Sequence, residues 1–153
     1  MARQEDGYEL ALQALSRKEP TEAELAGWLR ERGVDEAELA DVVARLIEAG
    51  ALDDAEFARR YASDKRELRG WGPDRIAEAL RARGVGEEEI SAALAGEDQE
   101  AVIGRAVALL EGDGADVADD RSRGRALALL ARRGYPLETA YEAVRRHERA
   151  AAG

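Results

Sequence analysis

Three short strings, Leu29-Arg30-Glu31-Arg32-Gly33-Val34, Leu80-Arg81-Ala82-Arg83-Gly84-Val85 and Leu130-Ala131-Arg132-Arg133-Gly134-Tyr135, recur at spacings of 51 and 50 residues. Self-similarity at a near-constant period constrains a chain strongly. Each copy must be one supersecondary piece that completes its core by stacking on its neighbours. The functional question therefore moves from a pocket to an extended surface.

The piece is helical. Ala, Glu, Arg and Leu, all strong helix formers, dominate the 153 residues, and no β-branched run suited to a buried strand appears. In the first unit a helix over about Tyr8 to Arg17 is ended by Pro20, and Thr21 with Glu24 forms a capping box for a helix from Glu22 to about Glu31. Gly33 takes the left-handed stop, and Asp35 with Glu38 repeats the box before a helix over Glu36 to Ala49. There Leu39, Val42, Val43, Leu46 and Ile47 form one apolar stripe.

The second unit begins at Gly50-Ala51-Leu52-Asp53-Asp54, where an Asp caps a helix that runs to about Arg69 with Phe57, Tyr61 and Leu68 on one face and Arg59, Ser63 and Arg66 on another. Gly70-Trp71-Gly72-Pro73 breaks that helix, and Pro73 opens the next, which buries Ile76 and Leu80 and stops at Gly84. Glu87 to Leu94 follows. In the third unit helices are expected over Ala101 to Glu111, Arg123 to Arg133 and Leu137 to His147. The acidic connector at 112–120 has little to bury, and a tail at 150–153 should fray.

The fold expected is all-α: three tandem three-helix, helix-turn-helix-like repeats at 1–49, 50–95 and 96–149, in an elongated, curved array about 70 Å long. No apolar stretch approaches the roughly 20 residues that cross a bilayer, and the charged first 20 residues hold no signal-peptide core. A soluble, cytoplasmic monomer without cofactor or metal is the expectation. With no cysteine there is no disulfide and no thiolate nucleophile.

The net charge of -10 argues against a whole-surface nucleic-acid binder, but the charge is uneven. Residues 1–52 carry 12 acids and 6 bases, and residues 86–120 carry 11 and 1; residues 53–85 carry 7 acids and 8 bases, and residues 121–153 carry 3 and 8. Two relatively basic islands lie in an acidic chain.

Catalytic chemistry is unsupported. The lone His147 sits among arginines near a helix end, where it reads as a surface residue, and neither a nucleophile nor a second histidine accompanies it. Asp113, Asp116, Asp119 and Asp120 lack the spacing of a calcium loop, and Gly70-x-Gly72 is a turn rather than a phosphate loop. The arginines of the repeated strings have two readings, last-turn cations that complement a helix dipole or a binding surface. Five bases in one helix, Arg59, Arg60, Lys65, Arg66 and Arg69, exceed what capping requires. Trp71 either covers the turn at a core edge or stacks on a base or partner.

Between Gly50 and Val85 the residue order becomes specific. Gly50, Leu52, Asp53, Asp54, Phe57, Gly72, Pro73, Ile76, Leu80 and Gly84 stand in an order that closely resembles the signature of the RecX family, regulators of the bacterial strand-exchange recombinase RecA. Tyr8 to Val34 and Leu130 to Glu142 resemble that family's first and last units. The resemblance implies a non-enzymatic modulator, usually an inhibitor, that binds the RecA nucleoprotein filament and affects ATP hydrolysis, strand exchange and repressor-cleavage coactivation in the SOS response. Contact residues would then be Arg59, Arg60, Lys65, Arg66, Arg69, Arg81, Arg83, Arg132 and Arg133, with at most weak binding to DNA alone. The rivals are a helix-turn-helix DNA-binding module and a general helical scaffold.

Overall fold

A computed structural model describes residues 3–153, and residues 1 and 2 of the first expected repeat lie outside the described residues. The described residues form nine α-helices and no strand: α1 Arg3–Arg17, α2 Glu22–Glu31, α3 Glu36–Glu48, α4 Asp54–Arg69, α5 Pro73–Ala82, α6 Glu87–Leu94, α7 Gln99–Asp113, α8 Asp120–Arg132 and α9 Leu137–Ala152. None is long and apolar enough to cross a membrane.

The helix starts follow from side chains that accept the first unpaired N-H groups. Thr21 forms the full capping box with Glu24. Asp35, Asp98 and Asp119 accept from the backbone N-H of Glu38, Ala101 and Ser122. The second half of the box expected at Asp35 is not made. Glu38 is instead buried against α1, close enough to Gly7 that a Cβ there would lie 2.7 Å from its carboxylate.

Two compact units result. One comprises the chain up to Ala58 together with Leu80–Ile90, and the other Arg59–Ala79 together with Ser91–Gly153. The first is built on Leu25, Leu29, Leu39, Val42, Leu46 and Leu52, and the second on Val102, Leu110, Val117, Leu130, Tyr135 and Val144.

Four expectations need correction. The buried face of α4 is only partly the one expected: Phe57 is buried, but so are Ala58 and Ala62, while Leu68 is 76% exposed. The stripe on α3 is wider than its core, since Leu39, Val42 and Leu46 are buried while Ile47 is 41% exposed. The acidic connector is shorter than 112–120, because α7 runs to Asp113 and α8 starts at Asp120; it also buries Val117, so it does have something to hold it. Finally, α9 continues through Ala152 rather than fraying from Ala150, as its alanines favour helix and nothing breaks it before Gly153.

Candidate functional site

The repeated strings end in glycines with positive φ, Gly33 at 83°, Gly84 at 84° and Gly134 at 96°. This conformation disfavours any side chain. Two of the three glycines also meet a second demand. A Cβ on Gly84 would lie 2.5 Å from the Cβ of Ala23, and one on Gly134 would lie 2.2 Å from the Cβ and 2.5 Å from the N of Arg75, whereas around Gly33 there is open space. Each of these turns is therefore pressed onto the first turn of another helix, Gly84 on α2 and Gly134 on α5.

In both joints the carbonyl just before the glycine accepts a hydrogen bond, from a side-chain hydroxyl in one and from a backbone N-H in the other. The carbonyl of Arg83 accepts from the Thr21 hydroxyl at 2.7 Å, and the carbonyl of Arg133 accepts from the N-H of Gly72 at 2.8 Å. Thr21 and Gly72 precede α2 and α5 at equivalent places in the period, as do Arg83 and Arg133 in their strings. Sequence reasoning found these glycines as helix stops and missed the joints, because a string repeated along the chain does not show what its turn touches.

Around this shared frame the chemistry differs. At the Gly84 joint Arg83 makes a bidentate pair with Glu24, donates to the Glu19 carbonyl and lies over the Phe57 ring. The hydrogen bonds from Arg83 hold the Glu24 carboxyl below its usual range. Asp53 caps its own helix by accepting from Glu56 N-H, while Asp54 accepts from Glu22 N-H at the start of α2. The adjacent aspartates thus serve two different helices. Burial pushes Asp54 and Glu22 above the ordinary carboxylate range, and Glu89 adds to both shifts by repulsion.

At the Gly134 joint the frame is aromatic and basic. Asp74 N-H donates to the Gly134 carbonyl, the Tyr135 hydroxyl donates to the Gly70 carbonyl at 2.7 Å, and a Cβ on Gly72 would lie 2.5 Å from the Gly134 oxygen. Half-buried Trp71 carries Lys65 Nζ at 4.8 Å and the Arg75 guanidinium at 4.3 Å from its ring centre, with Tyr61 edge-on at 6.5 Å. Arg75 also donates to the Arg132 carbonyl. Beneath the turn, Glu97 pairs with both Arg66 and Arg105, all three side chains at 13–17% exposure. Arg66 further donates to Ala93 O, and Arg105 to Trp71 O.

The arginines singled out by the sequence thus divide. Arg59, Arg60, Arg69 and Arg132 are exposed, while Lys65 and Arg133 are half-buried at the second joint. Arg66 and Arg83 are engaged internally. Arg81 clamps Glu87 across its glycine turn, as Arg30 clamps Glu36. These clamps were legible as Arg-to-Glu pairs six residues apart; the third string has Ala131 and Leu137 at the two positions and loses both partners together. Arg75 and Arg105, absent from the sequence-derived set, join the site through Trp71. His147 is more buried than expected, its Nε2 2.9 Å from the Ala115 carbonyl of the connector. Among the described residues no group of three His, Cys, Asp or Glu is placed to hold a metal ion.

Comparison with known proteins decides the family. Residues 8–46 match the first RecX three-helix domain and residues 53–94 the second. The regulatory protein RecX of Mycobacterium sp. (strain KMS) is 35% identical over 149 residues, spanning 93% of this chain and 81% of the relative. The chain belongs to the RecX family. RecX of Mycobacterium ulcerans is 38% identical over 147 residues, spanning 94% and 85% of the two chains. The crystal structure of RecX from Lactobacillus salivarius shares the fold with a TM-score of 0.85 at 19% identity, covering 95% of this chain and 97% of that one. Of the residues that carry the resemblance, Leu52, Phe57, Ile76 and Leu80 are buried, Pro73 opens α5, Gly50 has a φ of 77°, and Gly72 and Gly84 lie in the joints.

Proposed function

We propose that this RecX protein acts on the RecA recombinase assembled on single-stranded DNA, and inhibits its ATP hydrolysis, strand exchange and coprotease function without catalytic chemistry of its own. The observation that carries the reading is the surface around Trp71. Lys65 and Arg75 lie over its ring, and exposed Arg69 and Arg132 belong to the same compact unit. Cations already held over an aromatic ring are positioned before any partner arrives, which lowers the ordering cost of binding. Arg59 and Arg60 extend the basic surface along α4, whereas Arg66 serves the Glu97 pair and Arg83 the Glu24 pair.

The direct test is titration into RecA on single-stranded DNA while ATP hydrolysis is followed. A dose-dependent fall is expected, and unchanged turnover at saturation overturns the reading. Lys65→Glu with Arg132→Glu should weaken filament binding at unchanged helix content. Arg66→Glu is a poor probe, because it sets a second carboxylate beside Glu97 and damages the core. The same ring favours a secondary, weak contact with single-stranded DNA. This contact should vanish steeply with salt, as phosphate-dominated binding does.

A further inference from the structure

The first compact unit carries a feature that the basic surface leaves unused. Between α2 and α3 runs a trough of about 610 Å³, floored by Ala23 and Ala26 from one helix and by Ala40, Val43, Ala44 and Ile47 from the other. The volume falls within the range of about 300–1,000 Å³ typical of sites that take apolar groups. Four alanines keep the floor low, and Ile47, 41% exposed, stands where the α3 stripe outruns its core. Three acids, Glu22, Asp54 and Glu89, line the same trough, and no lysine or arginine is among its lining residues. Asp54 is buried with its carboxylate oxygen 3.0 Å from the Glu22 N-H, so the negative charge is anchored rather than free to swing away.

Apolar floor and acidic wall together select an occupant. We propose that the trough docks a basic amphipathic helix of a partner protein, with one or two aliphatic side chains seated over Ala40 and Ala44 and an arginine or lysine turned to Glu22 and Glu89. A helix laid in a groove is read through anchors three and four residues apart, and opposite charge fixes its direction. Acidic segments and nucleic acid are repelled. A cation there also offsets the burial and the nearby acidic charge that push Glu22 and Asp54 toward protonation. The proposal uses none of the residues assigned to recombinase contact.

The probe is a synthetic helix of about 15 residues, some four turns long, with Leu on one face and Arg on both flanks. A scrambled peptide of equal composition is the control, and binding is read by fluorescence anisotropy with the full chain. The patterned peptide should bind at least about tenfold tighter than its scramble, and Ile47→Lys and Ala40→Lys should each abolish that margin, since a central anchor carries most of such an interface. Glu89→Lys should lower affinity by roughly threefold or more and flatten its salt dependence. Both α3 substitutions lie at exposed positions, and circular dichroism checks that the fold is kept; a variant that fails this check is replaced in the test by Glu89→Lys. Equal affinity for patterned and scrambled peptides, or full affinity in a folded Ile47→Lys chain, overturns the proposal. So does concentration-dependent dimerisation that Ile47→Lys removes, because the trough would then hold a second copy of this chain.

Discussion

The Gly84 and Gly134 joints share one arrangement of turn and helix start, and have opposite chemistry. In both, a left-handed glycine turn is pressed onto the first turn of a helix, and the carbonyl just before the glycine accepts a hydrogen bond from the residue preceding that helix. At Gly84 the surroundings are Glu24, Asp54, Glu22 and Arg83; at Gly134 they are Trp71, Arg75, Lys65 and Tyr135. The difference teaches that in a repeat protein the period specifies the joint, and the residues around it are free to specify the partner. A shared turn contact can support an acidic surface in one unit and a basic one in the other.

The comparison breaks first at the glycines. Gly134→Ala drives a methyl group into the backbone of Arg75 and should destabilise by about 4 kcal/mol or prevent folding, read from urea midpoints. Gly84→Ala meets only the Ala23 methyl and should cost about 2–3 kcal/mol, while Gly33→Ala, with the same φ and open space, should cost about 1 kcal/mol. Equal costs at Gly33 and Gly84 would remove the first joint from the account.

Next in size is Glu97→Ala, which strands Arg66 and Arg105 together in a half-dry setting. A loss of about 2–3 kcal/mol is expected, and a neutral result would mean that water reaches both guanidinium groups. Tyr135→Phe removes the hydrogen bond to Gly70 and should lower stability by about 1 kcal/mol in the same denaturation experiment.

A finer contrast lies in pH. The Glu24 carboxyl is lowered by Arg83, so its contribution is present above its ordinary value of 4.5 and is lost as pH falls through the depressed value. Asp54 is raised above its ordinary 3.8, so its contribution is present at low pH and lost as pH rises through the raised value. The two oppose each other only around their ordinary values of 3.8 and 4.5; below them the Glu24 loss dominates, and above them the Asp54 loss. Asp54→Asn should leave the Glu24 effect alone and make stability fall more steeply on acidification, measured by denaturant midpoints across that range. Smallest of all, Ala131→Arg with Leu137→Glu should install the missing third clamp across the Gly134 turn and give a gain at the edge of detection, as exposed ion pairs do.

Much of the fold was legible because helix boundaries depend on local signals. Thr21, Asp35, Pro73 and the string glycines each act within a turn of themselves, and the sequence predicts those boundaries to within a residue or two. The inward face of α4 was only partly legible: Phe57 goes inward as its spacing suggests, Leu68 does not, and only packing decides that Ala58 and Ala62 go inward. The site was half legible for the same reason. Charge density pointed to α4 and to the third string, but how an arginine is engaged depends on glutamates 31 to 59 residues away, such as Glu97 for Arg66 and Glu24 for Arg83. Arg75 escaped notice because its role exists only where it lies over Trp71.

The open space around Gly33 bears on anyone who would build longer arrays from this chain. Averaging the three strings into one consensus would treat their glycines as equivalent, yet they tolerate different replacements. Asn, which enters the left-handed region at small cost, should serve in a leading copy, whereas every later copy has no room for a side chain. An engineered array would therefore need a distinct starting module and strictly invariant followers, a grammar of order that the repeated letters conceal.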